Sequence, residues 1–78
     1  MENLKLFTGE ILRKHRDFAI LQVDGHNLQA FAHKADFREA EIDFDGLRLR
    51  DRFVFRVLPS KKYPDRFCVF GIKREAEN

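Results

Sequence analysis

Two short stretches on either side of a tight turn constrain this chain more than any other feature: Phe18 to Val23 and Leu28 to His33, joined by Asp24-Gly25-His26-Asn27. Asp-Gly is a favoured hairpin pair because such turns require positive φ. Along a strand, successive side chains point to opposite faces. Ala19, Leu21 and Val23 therefore share one face, and Ala30 and Ala32 form a similar row, small and aliphatic enough for a packed interior. The other faces carry Phe18, Ile20 and Gln22, then Gln29, Phe31 and His33. An aromatic row mixed with Gln and His suits a wet surface on which flat groups stack, a known kind of platform for single-stranded nucleic acid. The competing reading puts Phe18 and Phe31 in the core with the alanines outside. The apolar row through Ala19, Leu21 and Val23 weighs against it.

The chain has 78 residues, which predicts one small domain with a core over about 4–73 and a polar tail over 74–78. At this length folding removes only roughly 60–65% of the unfolded surface, so stability is expected to be modest. An apolar content of 44% with nine phenylalanines supports a single core rather than disorder. The one cysteine, Cys68, allows no internal disulfide, and its place in Phe67-Cys68-Val69-Phe70 predicts a small buried hydrophobe. No apolar run is long enough to span a membrane and no charged-then-apolar leader is present, so a soluble cytoplasmic protein is expected. The net charge of +2 hides an uneven spread. Residues 35–51 hold three basic against six acidic side chains, and residues 52–78 hold seven against three. A dedicated polyanion binder is usually more lopsided.

Alternation and turn residues mark five strand-like runs. The first is Leu4 to Arg13, interrupted by Gly9, where a bulge or a close backbone approach is expected. The second and third are the pair above. Ala35 to Ile42 has room for a helical turn or two, with Asp36 as its cap and Glu39 three residues on. The fourth strand is Arg52 to Leu58 and the fifth Phe67 to Ile72, joined by a loop from Pro59 to Asp65. Five short strands with a longer, irregular or briefly helical link between the third and fourth predict an all-β fold. The small closed barrel of oligonucleotide/oligosaccharide-binding (OB) type is the leading architecture, with an SH3-like barrel as its competitor.

Arg16-Asp17-Phe18-Ala19-Ile20-Leu21 and Ala30-Phe31-Ala32-His33-Lys34 resemble the two ribonucleoprotein motifs of the cold-shock domain family, a likeness that runs over about residues 7–73. The family's first ribonucleoprotein motif reads Lys-Gly-Phe-Gly-Phe-Ile, beside Arg16-Asp17-Phe18-Ala19-Ile20-Leu21 here. The second reads Val-Phe-Val-His-Phe, beside Ala30-Phe31-Ala32-His33-Lys34. Gly9-Glu10-Ile11 and Leu49-Arg50-Asp51-Arg52-Phe53-Val54-Phe55 resemble the family's first strand and its approach to strand four. The resemblance implies that Phe18, Phe31 and His33 stack on bases, that Ile20 takes the second stacking position of the first motif, and that Arg16 holds its basic place. The motif glycines are replaced by Asp17 and Ala19, the family's exposed tryptophan by Arg13 or Lys14, and its last motif aromatic by Lys34. A weaker resemblance links Gly9 to Leu12, Asp24-Gly25-His26 and Asp51 to Pro59 with a small bacterial translation initiation factor of related barrel fold.

These readings predict non-catalytic binding of single-stranded RNA or DNA, in the manner of an RNA chaperone or transcript regulator. Phe18, Ile20, Phe31 and His33 form the expected stacking face. Phe44, beside Asp45-Gly46, is expected to be exposed and to join them, with Tyr63 a weaker addition. Arg13, Lys14, Arg16, Lys34, Lys61 and Lys62 are the expected phosphate contacts. Phe37, Phe53, Phe55, Phe67 and Phe70 are core candidates, and the core is the alternative place for Phe44. His33 titrates in the physiological range when unperturbed, so tighter binding at lower pH is expected. His15, His26 and His33 lack metal-ligand spacing, and no nucleophile elbow, phosphate-cradling glycine loop or paired-carboxylate motif appears, so neither a metal, a cofactor nor an enzyme is expected. The alternative is a protein-interaction barrel without the ligand, acting as a monomer or weak homodimer, or on a protein partner.

Overall fold

A computed structural model describes residues 5–63 and 65–75. Leu4, Pro64 and residues 76–78, which fall in the expected first strand, loop and tail, lie outside them. The strands are β1 (Leu6–Lys14), β2 (Phe18–Val23), β3 (Gln29–His33), β4 (Arg52–Pro59) and β5 (Phe67–Arg74). A helix α1 (Lys34–Glu39) and a 3-10 turn η1 (Phe44–Gly46) link β3 to β4. Strand order β1-β2-β3-β5-β4 closes on itself, because β1 pairs with both β2 and β4. The β3–β5 pair is parallel and the others antiparallel. The fold is a small OB-like barrel, as the strand pattern predicts.

The alternating apolar rows face inward. Ala19, Leu21, Val23, Ala30 and Ala32 are buried, with Ile11, Phe53, Phe55, Val69 and Ile72 from the other strands. Gly9 is buried and in register on both sides, opposite Val23 and Phe53. The bulge expected near it falls instead between Ile11 and Arg13. Gly9 is there for close approach: an added Cβ would collide with the Gln22 carbonyl oxygen and lie 2.9 Å from the Phe55 ring. β5 runs on through Lys73 and Arg74, past the expected end at Ile72. Gly71, at φ 63°, breaks the alternation there, so that Ile72 turns inward while Phe70 is left outside, 53% exposed. Phe70 is therefore not a core residue.

α1 plugs the barrel end. Its N-cap is His33, not the expected Asp36: His33 Nδ1 accepts from the Ala35 N–H at 3.1 Å, and the Asp36 carboxylate accepts from the His33 N–H at 2.8 Å. This reciprocal pair is a capping box with histidine in the usual Ser or Thr place. The helix stops in a Schellman turn. Glu41, at φ 62°, donates its N–H to the Arg38 carbonyl, and Ile42 donates to Phe37. Phe37 points into the barrel, fully buried, its ring 5.5 Å from Phe44 and 5.6 Å from Phe53.

Charged residues tie the other end. Arg52 on β4 pairs with Glu10 on β1, Asp24 in the β2–β3 turn and Glu75 beyond β5. Thr8 Oγ1 donates to the same Asp24 carboxylate at 2.7 Å. Hydrogen bonds from Arg52 and then Thr8 hold Asp24 below its ordinary value of 3.8, and the bonds to Asp24 and then Glu75 raise Arg52 further above its ordinary value. A lowered folded-state value stabilises the fold above pH 3.8, and that contribution is lost as pH falls through the folded value. The side chains are all about a third or more exposed to solvent, which screens them, so the network contributes about 1 kcal/mol or less. Asp24→Asn is expected to lower the urea midpoint at pH 7, and the gap to wild type should narrow by pH 3. An equal gap at both pH values would mean that the Asp24 charge is not what stabilises the turn.

Candidate nucleic-acid interface

Barrel closure makes the outward side chains of successive strands into rows. Cross-strand pairing aligns Arg13 with Ile20, Ile20 with Phe31, Phe31 with Cys68, and Cys68 with Leu58. Partners in a ladder share a face, and Phe31 and Ile20 alternate with buried neighbours, so this row lies outside. It spans all five strands. Phe18 pairs with His33 in the next outward row. Phe18, Ile20 and Phe31 are half-buried and His33 is exposed, which is how the alternation divides them.

Flat groups continue past the two strands on both sides. The His15 ring stacks on Phe18 at 4.5 Å between centroids, and Phe18 stacks on Phe31 at 5.8 Å. Beyond Phe31, the Arg66 guanidinium lies 5.2 Å from that ring and 4.7 Å from the ring of Tyr63. The β4–β5 loop is shaped to deliver these two residues. Ser60 donates its N–H to the Arg66 carbonyl at 2.9 Å, its hydroxyl oxygen accepts from the Tyr63 N–H at 3.1 Å, and Arg66 donates to the Tyr63 carbonyl at 2.9 Å. Between the loop, β3 and the start of α1 lies a cleft of about 280 Å³ bordered by Phe18, Phe31, His33, Asp36, Tyr63 and Arg66.

The expected site residues divide accordingly. Phe18, Ile20, Phe31, His33 and Arg13 come together. Arg16 is exposed in the β1–β2 turn beside them, and Lys61 and Lys62 are exposed on the cleft-forming loop. Phe44 is not exposed: it is 6% accessible and packs on Phe37. The Asp43 carboxylate accepts from the Asp45 N–H and tightens η1, which turns Phe44 inward. Lys14 is not a free phosphate contact, because its ammonium donates to the Asp45 carbonyl at 3.1 Å and sits 5.1 Å over the Phe44 ring. Lys34 borders a different depression, shared with Arg38, Glu41 and Asp43. Cys68 is half-buried on the outward row, not a core residue.

His15 is an addition that local alternation does not disclose, since it lies in a turn, whereas Arg66 belongs with Lys61 and Lys62 to the basic residues that the sequence places around the β4–β5 loop. Asp36 enters the cleft through the capping box. His33 has a second duty there: Nδ1 accepts from the Ala35 N–H, which requires the ring proton on Nε2. Among the described residues, no three His, Cys, Asp or Glu side chains gather into a metal site, and no helix is long and apolar enough to cross a membrane. Neither a protein-family model nor a curated protein matches the chain.

Proposed function

We propose that the chain binds single-stranded RNA or DNA without catalysis, laying bases on the outward face of β2 and β3. The observation that supports this best is the run of planar groups His15, Phe18, Phe31, Arg66 and Tyr63, drawn from the β1–β2 turn, β2, β3 and the β4–β5 loop. Bases stack on such faces whatever their sequence, and cations at the edges meet the phosphates. Arg13, Arg16, Lys61 and Lys62 are the edge cations. The resemblance of Arg16–Leu21 and Ala30–Lys34 to the cold-shock motifs points the same way and suggests a chaperone or transcript-regulating role.

A second reading has an observation of its own. Leu58 and Phe70 prolong the outward band across β4 and β5, and both are exposed. An apolar band of this kind suits a protein partner or a second copy. Salt separates the two readings. With four phosphate contacts to a single strand, the slope of log affinity on log salt is about −3, so affinity falls roughly fiftyfold between 50 and 200 mM salt. Anisotropy of labelled RNA and DNA oligomers measures this. Absence of binding at 50 mM salt would overturn the nucleic-acid reading in favour of the protein contact.

A further inference from the structure

Resting on the single-strand reading above, the geometry points to a guanine-selective subsite in the cleft between β3, the start of α1 and the β4–β5 loop. At about 280 Å³ the cleft sits at the lower edge of small-molecule pockets, with room for one planar heterocycle. Phe31, Arg66 and Tyr63 supply flat surfaces along it. Its polar groups are few and held in place by one another.

The Asp36 carboxylate accepts one bond, from the His33 N–H, through Oδ2. A carboxylate has about four acceptor sites, so most of its capacity is open. None of the ion pairs among the described residues involves Asp36. His33, with Nδ1 engaged as an acceptor, carries its proton on Nε2 and is a donor there. Asp36, His33 and Arg66 all border the cleft, so it brings together a carboxylate with open acceptor sites and two donor groups.

Among the four RNA bases, guanine alone presents two adjacent donors, N1–H and the N2 amino group, beside a carbonyl acceptor at O6. The two donors match the carboxylate, and O6 matches the His33 or Arg66 donor. Cytosine and adenine set one amino group beside an unprotonated ring nitrogen, which a carboxylate repels. Uracil sets one N–H between two carbonyl oxygens. Unstacked bases are read on these edges in single strands.

The test uses the full chain and uridine oligomers carrying one central guanosine, one inosine or neither, with matching DNA oligomers. Guanosine is expected to tighten binding by roughly 5- to 150-fold, the range for a good bidentate base contact. Inosine, which lacks the N2 amino group, should lose most of that gain. Asp36→Asn keeps a carbonyl oxygen for the His33 N–H but loses the second acceptor. It should remove the guanosine preference, read as the ratio of guanosine-oligomer to all-uridine affinity, so that a uniform change from the lost charge cancels. Equal affinity for the three oligomers overturns the guanine subsite and leaves the stacking platform standing. A preference that survives in Asp36→Asn, with the fold intact by circular dichroism, overturns the role of Asp36. If Asp36→Asn does not fold, the guanosine–inosine comparison on wild type decides. Failure of every oligomer to bind at low salt overturns both this subsite and the reading beneath it.

Discussion

Replacing Phe18 and Phe31 together by alanine is expected to weaken single-strand binding by roughly 30-fold to 25,000-fold. Each base stacked on an aromatic ring contributes about 1–3 kcal/mol by alanine substitution. The two rings are 5.8 Å apart, so their losses couple, and a value toward the lower end is expected. The barrel should survive the change. Both side chains point outward, and the interior they flank is built from Ala19, Leu21, Ala30 and Ala32, which stay in place. Oligomer anisotropy together with circular dichroism reads both halves of the expectation. A folded double variant that binds like wild type would remove the aromatic face from the interface.

Phe37→Ala is expected to have the largest effect on stability. Emptying a fully buried phenylalanine site costs about 3–5 kcal/mol, the sum of lost transfer energy and an unfilled cavity. A chain of this length has a total stability of about 4–12 kcal/mol, so the loss is a large part of the whole. The Tm should fall by roughly 12 °C or more, if the variant folds at all. Phe70→Ala is the control: the same residue type, half exposed on β5, should cost well under half as much. Similar urea midpoints for the two variants would show that α1 does not seal the barrel.

These contrasts mark how far the sequence could be read. The two faces of β2 and β3 were legible because their alternation is unbroken and because one face consists of residues too small and apolar to be anything but interior. The barrel followed from five such runs and the gap after the third. Phe70 was not legible, because period-two counting back from the buried Ile72 puts it inside, and only the reset at Gly71 returns it to the outward side opposite Val69. Phe44 misled for a different reason. A phenylalanine beside Asp-Gly reads as a loop residue, yet the capped 3-10 turn folds it back onto Phe37. Lys14 sits next to the aromatic face in sequence and is held away from it by carbonyls some thirty residues later, Asp45 and Leu47. The cleft itself depends on the parallel β3–β5 pairing, which sets Cys68 beside Phe31 and carries Arg66 and Tyr63 with it. No local pattern encodes that pairing.

The central claim is that bases lie on Phe18 and Phe31, and aromatic proton NMR of the wild-type chain during titration with a short single-stranded oligomer tests it most directly. Stacking predicts progressive upfield shifts of the Phe18 and Phe31 ring protons, with His15 and Tyr63 following and the buried Phe53 and Phe55 rings little changed. Shifts confined to Phe70 and the outward side of β4 and β5, with Phe18 and Phe31 unmoved, would contradict the account.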